Sequence, residues 1–306
     1  MKRIIFDTDP GIDDAMALLF LGSSSSVFIS SLTTIMGNAS TEQCTRNALF
    51  LRKIYGLKMP VHKGSSTSIN GQTPSKYPDL VHGKNGLADI VLTEERSLPD
   101  PGTAHSVMSS TAKKHPNDLT VLAVGQLTNV ALAILKDKSF SGNLKEIVFM
   151  GGTINEPGNV TPWAEANIWG DPEAAEIIFK SGIPLTMVGL DVTMKTRITK
   201  TFLRTITSKL GKLGRFLQNI NTFYADYYAK SMNLDSFPIH DSLAAMFVTN
   251  PDFFVTKKGI LSVKKNGEER GRTLFEENQQ GPHSVCLDVN ADKVLTEYEK
   301  LVTNHY

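Results

Sequence analysis

Short apolar runs recur along the chain, separated by longer stretches in which apolar residues return every three or four positions. The runs cover residues 3–6, 27–33, 119–124, 146–150 and 184–190. The periodic stretches cover 13–21, 41–55, 103–114, 128–135 and 172–180. A short run that is apolar throughout reads as a strand buried on both faces, and the longer period reads as an amphipathic helix. Their alternation predicts βαβ units, hence an α/β fold with an open, mostly parallel sheet and helices on both faces. Helices expected over 202–208, 215–232 and 241–248 break the alternation. Residues 253–287 read as short strands with a Lys-Asn-Gly turn at 265–267, and a last helix is expected over 291–302. No internal repeat divides the chain, and residues 1–306 read as a single domain. The serine tract 23–26 reads as a loop. The Gly/Ser/Pro/Asn-rich stretch 63–86 is long for a connection, and connections of that length are usually functional or disordered.

Composition removes several classes of function. Lys and Arg number 32 against 31 Asp and Glu, a net charge of +1. That balance offers no basic excess for a phosphate backbone, so nucleic acid is not an expected partner. The longest apolar run, residues 15–21, is far short of the ~18 residues a membrane span requires. The first residues lack the apolar stretch of a secretion signal. Two cysteines, Cys44 and Cys286, are too few for a disulfide framework and read as buried small hydrophobes. These features together suggest a cytoplasmic protein.

Ligands of open α/β sheets bind beyond the carboxyl ends of the strands. The segments that follow the predicted strands are rich in glycine paired with carboxylates or amides. They are Asp7-Thr8-Asp9-Pro10-Gly11-Ile12-Asp13-Asp14, Gly37-Asn38, Gly125-Gln126-Leu127-Thr128-Asn129, Gly151-Gly152 and Asp191. In the first, capping explains part of the acidity: Asp9 would cap a helix and Asp13 and Asp14 would complement its dipole. Capping does not explain Asp7, or four carboxylates crowded together without a Lys or Arg among them. A hard cation would relieve their repulsion, and oxygen donors without thiols favour Ca²⁺ or Mg²⁺.

The same segment resembles the N-terminal signature of the inosine–uridine-preferring nucleoside hydrolases. The resemblance continues, in order, through Gly37-Asn38, His82-Gly83-Lys84-Asn85-Gly86, Val124 to Asn129, and Met150-Gly151-Gly152. It extends to Gly158-Asn159, Ala164-Glu165-Ala166-Asn167, Asp171-Pro172-Glu173-Ala174-Ala175 and His240-Asp241. It implies a Rossmann-like nucleoside hydrolase fold, a nucleoside substrate, assembly as a homodimer or homotetramer, and one Ca²⁺. The implied ligands are Asp9, Asp14, Asp241 and the main-chain carbonyl of Val124. Asp13 would take a proton from the attacking water, and Asn38, Met150, Asn159, Glu165 and Asn167 would hold the ribose. Asp7 would support the ligands from behind. His240 would protonate the leaving base, since a histidine can carry a proton near neutral pH. Tyr224 and Tyr228, one helical turn apart, would face the base, and His82 would line its pocket. Many relatives have phenylalanine where this chain has Ala166, which puts the shape of the pocket wall in doubt.

Two other readings compete. A metal-dependent sugar-phosphate phosphatase also begins with a strand ending in Asp-x-Asp, but it needs a later lysine motif that the chain lacks. A non-catalytic ribose-binding protein would be expected to lack the base or a ligand, and all are present. Trp163 and Trp169, flanking Glu165–Asn167, read as packing residues.

Overall fold

The computed structural model describes residues 1–92 and 97–306. Nine strands form one sheet. In chain order the strands are β1 (Lys2–Thr8), β2 (Val27–Thr34), β3 (Val61–Lys63), β4 (Leu119–Ala123), β5 (Glu146–Met150), β6 (Leu185–Val188), β7 (Arg197–Thr199), β8 (Ser236–Pro238), β9 (Phe254–Val263), β10 (Thr273–Glu277) and β11 (His283–Val289). The sheet order is β10-β9-β11-β6-β5-β4-β1-β2-β3, while β7 and β8 pair separately. From β3 across to β11 every pairing is parallel; β9 runs antiparallel to both β11 and β10.

Side chains on successive strand residues point to opposite faces, so each central strand feeds two cores. Ile4 and Phe6 of β1 enter one apolar cluster with the helices Ile12–Ser23, His240–Thr249 and Ala291–His305. Ile5 enters the other with the helices Ala104–Lys114, Thr128–Lys136 and Pro172–Phe179. Burial on both faces is why these strands read as continuous apolar runs.

The expected α/β fold is present, with three differences. First, β1 extends through Asp7 and Thr8, past its apolar residues, because Thr33 and Asn129 bond the Asp7 carboxylate and Thr8 bonds Asp14. Second, the strand expected over 184–190 stops at Val188, and Leu190 opens the short helix Leu190–Thr193. Third, the C-terminal strands do not stand apart: β11 pairs in parallel with β6 and continues the sheet. The short strands β3, β7 and β8 were not expected; three residues carry no readable period. The stretch 63–86 is folded, and its helix Asp79–His82 brings His82 over the sheet edge. Both cysteines are buried and free. Among the described residues no helix is long and apolar enough to cross a membrane.

β1 lies between β2 and β4, so the chain leaves it in one direction and later returns on the other side. At such a reversal the connections diverge and open a crevice at the carboxyl ends of the strands.

Candidate active site

The crevice beyond β1 and β4 opens into a cavity of about 560 Å³. Every residue nominated from the sequence lines it except Asp14, which lies beneath its floor, and Asp7, which lies behind it.

The floor is built from the first strand's continuation. The helix Ile12–Ser23 takes Gly11 as its N-cap, not Asp9. Asp14 does the capping instead: its carboxylate accepts from the Gly11 amide at 2.8 Å, from Thr8 Oγ1 at 2.5 Å and from Asn38 Nδ2 at 2.9 Å. Asp9 is left free to point at the sheet edge, where it accepts from the Asn38 amide at 2.8 Å. Two glycines make room for it. A Cβ on Gly37 would stand 2.0 Å from one Asp9 carboxylate oxygen, and a Cβ on Gly125 would stand 2.6 Å from the other. Behind the floor, Asp7 accepts from Thr33 Oγ1 at 2.6 Å and Asn129 Nδ2 at 2.8 Å, and its second oxygen is buried without a partner.

Asp241 arrives from the first turn of His240–Thr249, more than two hundred residues away in sequence. Carboxylate oxygens of Asp13, Asp14 and Asp241 lie within 4.8 Å of one another, and all three residues are buried. Burial, and then repulsion from Asp14, pushes the Asp13 carboxyl up to about 8. Asp9 and Asp241 are raised well above the carboxylate range, again by burial first and neighbouring aspartates second. Burial raises Asp14 too, against the pull of its hydrogen bonds. Among the described residues no Lys or Arg lines this cavity to offset the cluster. A hard divalent cation fits such a donor set: buried carboxylate oxygens, crowded and without a counter-ion.

One side wall is a web of amides. Glu165 caps the helix Ala166–Gly170, accepting from the Gly152, Asn167 and Ile168 amides at 2.9, 2.9 and 3.1 Å. Asn167 Nδ2 donates to the Val124 carbonyl at 2.7 Å and to the Met150 carbonyl at 3.2 Å. Asn159 Oδ1 accepts from the Ala166 amide at 3.0 Å. The residues expected to hold ribose thus hold one another in place at the carboxyl ends of β4 and β5.

The opposite wall is aromatic. Tyr224 and Tyr228 share a face of the helix Gly211–Met232, their rings edge-on at 5.1 Å. His240 Nδ1 lies 2.8 Å from Thr193 Oγ1, its Nε2 lies 3.1 Å from the Tyr228 hydroxyl, and that hydroxyl lies 3.5 Å from Tyr224's. His82 Nδ1 accepts from the Ile12 amide at 3.2 Å, and its ring lies 5.4 Å from Tyr224's. Burial pulls His240 down to about 4 and His82 to about 3, so both imidazoles are neutral at pH 7. The expectation that His240 carries a proton near neutrality therefore does not hold in this environment: an exposed histidine would, a desolvated one does not.

Sequence reading missed several contributors. Tyr227, Ser231 and Met232 complete the aromatic wall, and Thr193 holds His240. Asp191 had been noted only as a strand ending. Its carboxylate accepts from the Ile154 and Asn155 amides at 2.8 and 2.7 Å and anchors the loop that carries Asn159. Trp163 and Trp169, read as packing residues, are 38% and 42% exposed, and Trp163 packs against the Arg272 guanidinium.

The family profile described as inosine-uridine preferring nucleoside hydrolase matches residues 4–296. Uridine nucleosidase 1 of Arabidopsis thaliana is 38% identical over 311 aligned residues, covering 98% of this chain and 92% of its own. The non-specific ribonucleoside hydrolase RihC of Shigella flexneri is 34% identical, covering 94% and 93%. Among solved structures, a plant nucleoside hydrolase superposes with a TM-score of 0.94 at 33% identity over 99% of both chains. A purine-preferring ribonucleoside hydrolase from Gardnerella vaginalis superposes with a TM-score of 0.95 at 31% identity, over 99% of this chain and 98% of its own.

Proposed function

The chain belongs to the inosine-uridine preferring nucleoside hydrolase family, enzymes that hydrolyse N-glycosyl bonds, and from that premise we propose how its own residues divide the work. One observation carries the reading: buried carboxylates without a counter-ion form the floor of a cavity whose far wall is neutral and aromatic. A nucleoside has the same polarity, with a polar ribose at one end and a flat base at the other.

Asp9, Asp14, Asp241 and the Val124 carbonyl would hold one Ca²⁺. When bound, the cation neutralises the aspartate cluster and makes water more acidic at the floor of the pocket. The protein's own groups do the rest. Asp13, ionised once its neighbours are neutralised, takes a proton from the attacking water. Cleavage of the bond from C1′ to the base leaves positive charge on the ribose ring, as in glycoside hydrolysis generally. Glu165 and the fixed amide oxygens near it favour that charge by electrostatics. Asn38, Asn159, Asn167 and Met150 position the sugar. The departing base takes its proton from His240. A neutral imidazole can give one proton only if another replaces it, and the chain of hydroxyls through Tyr228 and Tyr224 supplies the route. His82 and Tyr224 pack against the base.

The test is ribose release from inosine, adenosine, guanosine, uridine and cytidine, with calcium present. Release of ribose and free base from at least one substrate is expected. Release of phosphate from sugar phosphates without cleavage of any nucleoside would favour the Asp-x-Asp phosphatase reading instead.

A further inference from the structure

The two imidazoles of the aromatic wall are oriented by partners of different kinds. His82 Nδ1 accepts from the Ile12 main-chain amide, a group that only donates, so its ring proton is on Nε2. His240 meets a hydroxyl at each nitrogen. Thr193 Oγ1 lies 2.8 Å from Nδ1, and the Tyr228 hydroxyl lies 3.1 Å from Nε2. A hydroxyl donates or accepts, so these distances by themselves fit either tautomer.

The hydroxyl protons decide between them. Thr193 is 0% exposed, so its hydroxyl proton must find an acceptor within the protein. Helical threonines elsewhere in the chain give that proton to the carbonyl four residues back, as Thr45, Thr207, Thr222 and Thr303 do. Thr193 closes the four-residue helix Leu190–Thr193 and makes no such bond. Among the described residues His240 Nδ1 is the sole hydrogen-bond partner of its hydroxyl. Tyr228 is placed differently: it lines the cavity, and its hydroxyl lies 3.5 Å from Tyr224's, so its proton has other directions to take. With the ring proton on Nδ1, the Thr193 proton would be buried without an acceptor. With the ring proton on Nε2, Thr193 donates to Nδ1, Nε2 donates to the Tyr228 oxygen, and every group is paired.

Thr193 is also held firmly. Its amide donates to the Gly189 carbonyl at 3.1 Å, and the Leu190 amide donates to the Gly152 carbonyl at 3.0 Å. A Cβ on Gly189 would stand 2.7 Å from the Gly152 carbonyl oxygen, so the chain leaves β6 pressed against the loop that follows β5.

We infer that Thr193 sets the tautomer of His240, keeping the ring's proton on Nε2, the nitrogen that faces Tyr228 and the cavity. This rests on the leaving-group role given to His240 in the preceding section. It fixes the direction of the hydroxyl chain as well. Nε2 donates to Tyr228, which turns the Tyr228 proton toward Tyr224 and the base. With the other tautomer the ring proton would point at Thr193, away from the cavity, and the Tyr228 proton would point back at the ring. Thr193 touches no substrate and makes or breaks no bond: it is a positioning residue. The imidazole of serine hydrolases obeys the same rule, and there the wrong tautomer costs about 10⁴ in kcat. A neutral hydroxyl constrains the ring less than a carboxylate, so a smaller loss is expected here.

The tautomer is read by ¹⁵N NMR of the calcium-loaded protein with ring-labelled histidine, the His240 signals being assigned by their loss in His240→Ala. Expected in the unmodified protein is a protonated Nε2 and an unprotonated Nδ1. Thr193→Val removes the hydroxyl at nearly constant volume and should divide the proton between the two nitrogens. It should lower kcat on inosine about 10- to 100-fold and on uridine by less, with KM within about twofold and calcium content unchanged. Thr193→Ser should restore the tautomer and bring kcat to within about threefold of the unmodified protein. A ring protonated on Nδ1, or on both nitrogens, in the unmodified protein overturns the inference whatever the variants do. So does a Thr193→Val protein whose tautomer and kcat are unchanged. Equal losses on inosine and uridine with reduced calcium also overturn it, since they mark a residue that only supports the chain around Asp241. If Thr193→Val does not fold, the unmodified spectrum and Thr193→Ser decide. Failure of every nucleoside to react overturns the nucleosidase reading, while the spectrum still decides the tautomer.

Discussion

The aspartates of the floor and the residues Tyr224, Tyr228, His82 and His240 of the wall are all buried but electrically opposite. The floor gathers carboxylates that burial and mutual repulsion force toward the protonated state. The wall gathers imidazoles and phenols that burial forces toward the neutral state. Desolvation acts on both, yet its consequences differ. On the proposed reading the crowded acidic floor is completed by a cation, whereas the neutral wall is complete as folded. In the proposed mechanism the floor governs whether the reaction occurs at all, and the wall governs which base departs and how easily.

Removing calcium breaks the comparison most severely. A chelator followed by desalting should abolish turnover, and metal analysis before and after should show about one calcium lost per chain. Full activity in the metal-free protein would remove the cation from the mechanism. Next in size is Asp13→Asn, which keeps the side chain's shape but not its basicity. Its kcat should fall by ~10²–10⁴ with calcium still bound, and a loss below tenfold would exclude Asp13 as the base.

On the wall, His240→Ala should lower kcat on inosine by roughly 10²–10⁴ and on uridine by less, measured at saturating calcium. A purine has an imidazole nitrogen to protonate and a pyrimidine does not. Equal losses with weakened calcium binding would mean that His240 only positions Asp241. Tyr228→Phe removes the hydroxyl 3.1 Å from His240 Nε2 and should show the same substrate bias at smaller size.

The smallest effect separates floor from wall by pH. In the metal-free protein Asp7 and Asp13 hold their protons up to about 7 and about 8. The folded chain thus binds more protons than the unfolded chain above the ordinary carboxylate range. Their contribution to stability is complete below about pH 4 and is lost as pH rises through 7 and 8. The Tm of the metal-free protein should fall between pH 5 and 9, and the increment that calcium adds should grow over the same interval. A calcium increment independent of pH would mean that protons and the cation do not compete for this cluster.

Much of the molecule was legible along the chain. The alternation of short apolar runs and helical periods is a local property, so it placed β1, β2, β4, β5 and the helices between them within a few residues. The acidic segment after β1 was equally plain, because four carboxylates without a basic neighbour are anomalous at any distance. Less legible was the exchange of roles inside it. Capping by Asp14 frees Asp9, and that depends on Asn38 and on two glycines from other strand ends. Strands of three residues, and the parallel pairing of β11 with β6, leave no periodic mark.

The sequence by itself determined the alternation of the main strands and helices and the acidic motif, because these depend on spacing, capping and charge within a dozen residues; the other site candidates rest on the resemblance to the nucleoside hydrolases. Only the tertiary structure decided that Asp241 meets Asp13 and Asp14 and that His240 is neutral. Each of those depends on burial, and burial is set by elements far apart in the chain closing on one another. A carboxylate or an imidazole has its chemistry fixed by the water it loses, and no local pattern records that loss.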